Sequence, residues 1–243
     1  MRASRQRCAA LWVAFAMASC VDRVSAERRG AEVFASPQLS TSRFNQFSCR
    51  TCHRADPRER PDAILPGGLL AGSTARPTFW GGTVVSLQEA IDVCFRKFMR
   101  GGPLDTSNPD TIALYAFLQS LEQVEGAQRT ALAFTVRGTT VPPMMGDATR
   151  GALLYTRACA TCHGPVRATQ PPITTASVVP TDTEAEHGSA QGYTQATLQQ
   201  VLVEKSRHGA FLGFAGIMPP FSEETLSDQD LADIVAHVGP VLR

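Results

Sequence analysis

An excess of charge of either sign is missing from this sequence. Lys and Arg number 23 against 22 Asp and Glu, a formal net charge of +1. That balance excludes the broad basic face by which a protein grips nucleic acid. Lysine itself is scarce: only Lys97 and Lys205 occur, and every other strongly basic residue is Arg. Beyond residue 20, no run is long and apolar enough to span a bilayer. The alternation of strand and helix patterns that builds a thioredoxin-like sheet is absent as well. Apolar residues make up 43% of the 243 positions, enough for one large core or two small ones.

What is present begins with an address. Residues 1–7, MRASRQR, are basic, and residues 8–20, CAALWVAFAMASC, are apolar. The small residues Ser25 and Ala26 suit cleavage near position 26. Residues 1–26 are therefore expected to be a signal peptide and the remainder periplasmic. The stretch ending at Cys20 loosely resembles a lipoprotein box, so membrane attachment is expected only if Cys20 is lipidated.

Of seven cysteines, Cys8 and Cys20 fall in that address. Cys49 and Cys52 precede His53, and Cys159 and Cys162 precede His163, so Cys-x-x-Cys-His is written twice. Cys94 stands alone. Two thiols on one helical turn can each add to a vinyl group of haem, and the adjacent His then faces the iron. A zinc site would bring its second Cys pair within about 15–20 residues; here more than a hundred intervene. A redox dithiol has no use for the His and sits in a βαβ setting. The pattern points to two covalently bound haem c groups.

The halves also repeat around these motifs. RRGAEVF (28–34) parallels TRGALLY (149–155). Each half closes with a capped helix, led by Asn108-Pro109 and by Ser227. An offset of 119 places Met99 on Met218, Ile112 on Leu231 and Leu118 on His237. This predicts one unit at 27–126, a Gly/Thr/Pro-bearing linker at 127–144 and a second unit at 145–243.

Through GALLYTRACATCHG, GIMPPF and LSDQDLADIVAHV, the second half resembles class I cytochrome c, and the first half does so more distantly. The resemblance implies a mainly α fold: two tandem domains, each a few helices around one haem. It also implies that Met218, on a Pro-stiffened loop, is the distal iron ligand of the second haem. His187 and His208 are rivals for that place, and His237 reads as a surface position of the last helix.

The first haem has two candidate distal ligands. Repeat symmetry selects Met99. The stretch SLQEAIDVCFRKFMRGGPL (86–104) resembles a segment of the thiosulfate dehydrogenase and SoxA families, in which the corresponding Cys ligates the first haem; this selects Cys94. Five residues apart, the two would lie about 140° apart on a continuous helix. A thioether raises the haem potential and closes the site to other ligands, whereas a thiolate lowers it. Turns at Arg76-Pro77 and Pro171-Pro172 are candidates to orient the proximal His, and Phe79 and Trp80 to pack on haem.

Three functions fit. The first is a periplasmic single-electron carrier serving a redox partner protein. The second is a thiosulfate-dehydrogenase-like oxidoreductase, with Cys94 at the catalytic haem and Arg76, Arg96, Lys97 and Arg100 around a small inorganic sulfur anion. The third is a di-haem peroxidase, for which the chain is short. A pyridine haemochrome assay on the purified protein is expected to return two haems per chain; a colourless, zinc-bearing product would refute the haem assignment.

Overall fold

The structure is a computed structural model that describes residues 24–136, 145–166, 194–210 and 216–239. Most of the expected signal segment, His187 and Pro171-Pro172 lie outside those residues. Among the described residues the only extended pairing is one isolated bridge, Phe79 with Val84; everything else is helix and loop. No described helix is long and apolar enough to cross a membrane.

Among the described residues the α-helices are, in order, α1 (24–35), α2 (Cys49–Cys52), α3 (Leu87–Lys97), α4 (Pro109–Ser120), α5 (Ala148–Ala158), α6 (Ala160–His163), α7 (Gln195–His208) and α8 (Asp228–Val238). Their starts follow from capping chemistry. Asn108 accepts the Asp110 N–H at 2.8 Å, with Pro109 opening α4. Ser227 and Asp230 form a reciprocal capping box on α8. Ser86 accepts from the Glu89 N–H to open α3.

The Arg-Gly pair that opens each half has a definite task. A Cβ on Gly151 would sit 1.9 Å from the Asp233 carbonyl oxygen of α8, and one on Gly30 would sit 2.0 Å from the Ala113 carbonyl oxygen of α4. Only hydrogen fits where these helices cross. The preceding arginine then clamps the crossing. Arg29 reaches Asp110 through two hydrogen bonds at 2.9 and 3.2 Å, and Arg150 pairs with Asp230 and, at 2.6 Å, with the fully buried Asp233.

These contacts correct the repeat register by one residue. Gly30 faces Ala113 and Phe117, whereas Gly151 faces Asp233 and His237, an offset of 120 rather than 119. Burial agrees: Leu114 and Leu118 match Ile234 and Val238, all at most 2% exposed. The caps align at 119, but Ile112 is 54% exposed while Leu231 is 2% exposed. The core faces therefore lie one residue further along than the caps suggest. His237 is half-buried against Tyr155, with ring centroids 5.8 Å apart.

Each half has its own apolar cluster. Val33, Phe34, Leu114, Leu118 and Leu121 centre the first; Leu154, Tyr155, Leu231, Ile234 and Val238 are among those centring the second. A third cluster, Phe47, Phe95, Phe98 and Met99, receives Cys162, Ala210 and Ile217 from the second half. Further bonds join the halves. The Ile64 N–H donates to the Arg157 carbonyl at 2.9 Å, and the Arg157 guanidinium donates to the Asp62 carbonyl at 2.6 Å.

The segment expected to be a linker is partly structural. The Gln128 N–H bonds the Ala71 carbonyl at 2.9 Å, and Thr135 bonds Glu224 through both its N–H and its hydroxyl. Gly151→Ala is expected to cost about 1–3 kcal/mol through overpacking and to lower the thermal midpoint by several degrees. Gly102→Ala, where a Cβ meets nothing within 4 Å, should leave the midpoint nearly unchanged in the same calorimetric comparison.

Candidate functional site

A cavity of about 470 Å³ opens among α2, α3, α4 and the 66–80 loop. Pockets that enclose whole cofactors span roughly 300–1,000 Å³. Cys49, Cys52 and His53 stand on one wall, and Cys94 and Met99 also line it.

The first wall is built from its approach. Buried Asn45 donates to the Pro37 and Phe47 carbonyls at 2.7 and 2.8 Å and accepts the Phe47 N–H, which fixes the entry to α2. Ser48 and Thr51 cap the turn reciprocally. His53 then leaves the helix as its extended C-cap, and its Nδ1 lies 2.8 Å from the Gly68 carbonyl oxygen. That carbonyl accepts Nδ1–H and leaves Nε2 as the imidazole's free donor atom. The expectation that Arg76-Pro77 orients this ring is corrected: the Pro66-Gly67-Gly68 turn does so. A Cβ on Gly67 would strike the imidazole at 2.4 Å, so the ring stands where only glycine leaves room. Burial lowers the His53 pKa, which keeps the imidazole neutral.

Cys94 and Met99 both line the cavity because the helix ends between them. Phe98 is the C-cap of α3, and the Cys94 carbonyl accepts both the Phe98 N–H at 3.0 Å and the Met99 N–H at 3.3 Å. This widened turn swings Met99 round to the side of Cys94, so the 140° separation of a continuous helix does not apply. Ser40 holds the Met99 carbonyl at 2.7 Å, and Asp92 holds the Leu104 N–H and pairs with Arg96. Burial above all pushes the Cys94 thiol up to about 12. As a free side chain it is therefore a neutral thiol, and it would ligate a metal as thiolate only by giving up that proton.

The upper walls are aromatic and polar. Phe79 and Trp80 line the cavity, and Trp80 meets Phe134 edge-on at 5.2 Å. Arg76 is 9% exposed and donates only to the backbone carbonyls of Gln128, Leu69 and Ala71. Ser73 is wholly buried on the same wall, and its Oγ has no partner. A buried cation and a free hydroxyl beside an apolar slot suit the carboxylates of a haem. With two thiols and an oriented imidazole lining the same cavity, the residues of the first half fit haem c.

In the second half, Cys159 ends α5 and starts α6, which closes on Cys162 and His163. Tyr155 donates its hydroxyl to the Gly164 carbonyl at 3.0 Å, fixing the exit of α6. Met218 and Cys159 pack on the same apolar cluster. The Met218 segment is seated by α7. The Phe221 N–H bonds the Ser206 carbonyl at 2.9 Å. The wholly buried Arg207 donates to the Phe221 and Leu226 carbonyls, each at 2.8 Å, and to Asp228 at 3.0 Å. Gly209 has φ +56°, and a Cβ there would meet the Met218 carbonyl oxygen at 2.4 Å. His208 is buried and pairs with Glu204 at 2.9 Å. This donor set also fits haem c.

The two sites adjoin. Pro219, Pro220 and Glu224, just past Met218, line the first cavity. Burial first, and then the proximity of Cys162, raises the Cys52 thiol well above its ordinary value. Among the described residues no group of three or more His, Cys, Asp and Glu is arranged to hold a metal ion, so the Cys pairs do not converge into a zinc cage there.

Arg60, Ser73, Arg207 and Gly209 escape sequence reasoning. The Pro-Gly-Gly turn at 66–68 did carry a signal, since such triplets mark tight backbone. Of the four basic residues placed around a sulfur anion, Arg76 lines the cavity; Arg96 pairs with Asp92, and Lys97 and Arg100 are exposed.

Short helices that carry a Cys-x-x-Cys-His turn, one of them against an apolar slot, mark a c-type cytochrome. Residues 146–238 match the family described as cytochrome c oxidase, cbb3-type, subunit III. That segment contains Cys159, Cys162, His163 and Met218, and the class implies covalently bound haem c and a role in electron transfer. A thiosulfate dehydrogenase of Psychrobacter arcticus is 25% identical over 144 residues, covering 58% of this chain and 42% of that protein. A solved thiosulfate dehydrogenase from Marichromatium purpuratum, in its as-isolated form, aligns over 88% of this chain and 45% of that one, at 20% identity and a TM-score of 0.41. The chain thus spans under half the length of these relatives.

Gly67→Ala is expected to displace the His53 ring and weaken axial coordination in the first half. Circular dichroism should still report helix, while the low-spin spectrum of one haem changes; an unaltered spectrum would show that the ring tolerates the methyl group.

Proposed function

We propose that this protein is an exported di-haem c-type cytochrome with one haem in each of two domains, about 27–126 and 145–243, and that it carries single electrons in the periplasm to a redox partner protein. When bound, haem supplies a one-electron iron couple. Cys49, Cys52 and His53 would hold the first group, and Cys159, Cys162, His163 and Met218 the second. The observation that carries the reading is the shared cluster. Phe47, Phe95, Phe98 and Met99 pack against Cys162 and Ile217, so the two attachment turns meet at a shared apolar cluster.

The residues around each site tune and hold. Gly68 fixes the His53 ring so that Nε2 faces the slot. Gly209 and Arg207 seat the Met218 segment, so its sulfur is presented by rigid backbone rather than by a free loop. Phe79, Trp80 and Phe34 keep water from the first slot.

A second reading has support of its own: an oxidoreductase acting on thiosulfate or a similar small sulfur anion at the first haem. Cys94 lining the cavity supplies a soft ligand, and Arg76 and Ser73 lining the same cavity supply an anion-holding pair. The relative from Psychrobacter arcticus is a thiosulfate dehydrogenase. In this reading Met218 serves the haem that exports electrons.

Axial variants separate the possibilities. Cys94→Ala is expected to alter the low-spin spectrum of one haem and raise its potential. Met99→Leu is expected to leave that spectrum in place; the reverse result would assign Met99. Thiosulfate-dependent reduction of an acceptor, abolished by Cys94→Ala, would establish the enzyme. Two haems without such turnover would leave the carrier.

A further inference from the structure

Arg60 stands at the seam between the two Cys-x-x-Cys-His turns. Its Nη2 donates to the Arg50 carbonyl at 2.5 Å and reaches the His53 carbonyl oxygen at 3.4 Å, so the guanidinium lies over the C-terminal end of α2. Its Nε is buried without a partner, and no carboxylate pairs with it among the described residues. Its backbone is left-handed, with φ +44°, a conformation that a long side chain rarely adopts and that tends to mark functional positions. Four residues on, Ile64 bonds the Arg157 carbonyl on α5 and packs on the second apolar cluster together with Cys159. The 60–64 segment is thereby pinned against the second half. The Arg60 guanidinium lies near enough to Cys52 and to Cys162 to act electrostatically on both attachment turns. Other ionic groups around it are Arg50, Arg54 and Glu59.

We propose that Arg60 is a shared electrostatic tuning residue: one partly buried cation that raises the reduction potentials of both haems together. The inference rests on the di-haem reading above. A fixed positive charge favours the reduced iron, which carries one positive charge fewer, and partial burial spares the interaction much of the screening by salt. Because the cation sits at the seam rather than within one slot, it moves the two couples in the same direction and changes their difference little.

The test is a spectroelectrochemical titration of the holoprotein. Arg60→Gln keeps a donor for the two carbonyls and removes the charge. The haem count by pyridine assay comes first, in the parent protein; a count other than two would sink the di-haem reading itself. With two haems loaded, Arg60→Gln is expected to lower both midpoints, each by about tenfold in the ferrous-to-ferric ratio at fixed potential, or about 59 mV for a one-electron couple. The axial-ligand spectra should stay unchanged. Arg60→Lys, which keeps the charge, should hold both midpoints near the parent values. Should the Gln variant fail to load haem, Arg60→Met is titrated in its place. Two unmoved midpoints, a shift confined to one haem, or a fall with Lys as large as with Gln would each overturn the proposal.

Discussion

A helix bearing Arg-Gly crosses a terminal helix so closely in each half that no side chain fits between them. At Gly151 the α8 backbone is within reach of a hydrogen and nothing larger, and at Gly30 α4 is equally near. Much else follows from that approach. The helix carrying the glycine runs on toward the Cys-x-x-Cys-His turn, so its placement decides where the thiols and the imidazole stand. In the second half the run is direct, because α5 ends on Cys159 itself. In the first half an intervening loop, held by Asn45 and Ser48, performs the same delivery.

The second organising element is the apolar seam between the halves. Phe95, Phe98 and Met99 belong to the first slot, yet Cys162 and Ile217 pack on them. The residues after Met218 reach further and form part of the first cavity's wall. The segment that positions the Met218 sulfur therefore also shapes the neighbouring slot. Burial that serves packing here also lowers the local dielectric, which strengthens the influence of any charge left at the seam.

Much of this was legible in the residues. The doubled Cys-x-x-Cys-His, the Pro-stiffened Met218 and the capped final helices each carry local chemistry, and local chemistry survives in sequence. The repeat was legible as well, though its register slipped by one, because caps report where a helix begins and not which face it buries. What stayed hidden depends on tertiary contact. Arg207 reads as one more charged residue of a helix, but it is buried under three acceptors. The shared wall of Cys94 and Met99 depends on a helix ending at Lys97, and terminal positions are the least secure part of any sequence reading. Arg60 lies in a polar stretch with no pattern to single it out.

The strand of chain from Gln128 to Thr135 is hitched at one end to Ala71 and at the other to Glu224, while Leu132 and Phe134 between them face the first slot. A connector built this way has no slack to absorb an inserted or deleted residue. Any change in its length must unhook one end or roll an aromatic ring out of the wall, so the tie between the halves doubles as a gauge of how well the first pocket is filled.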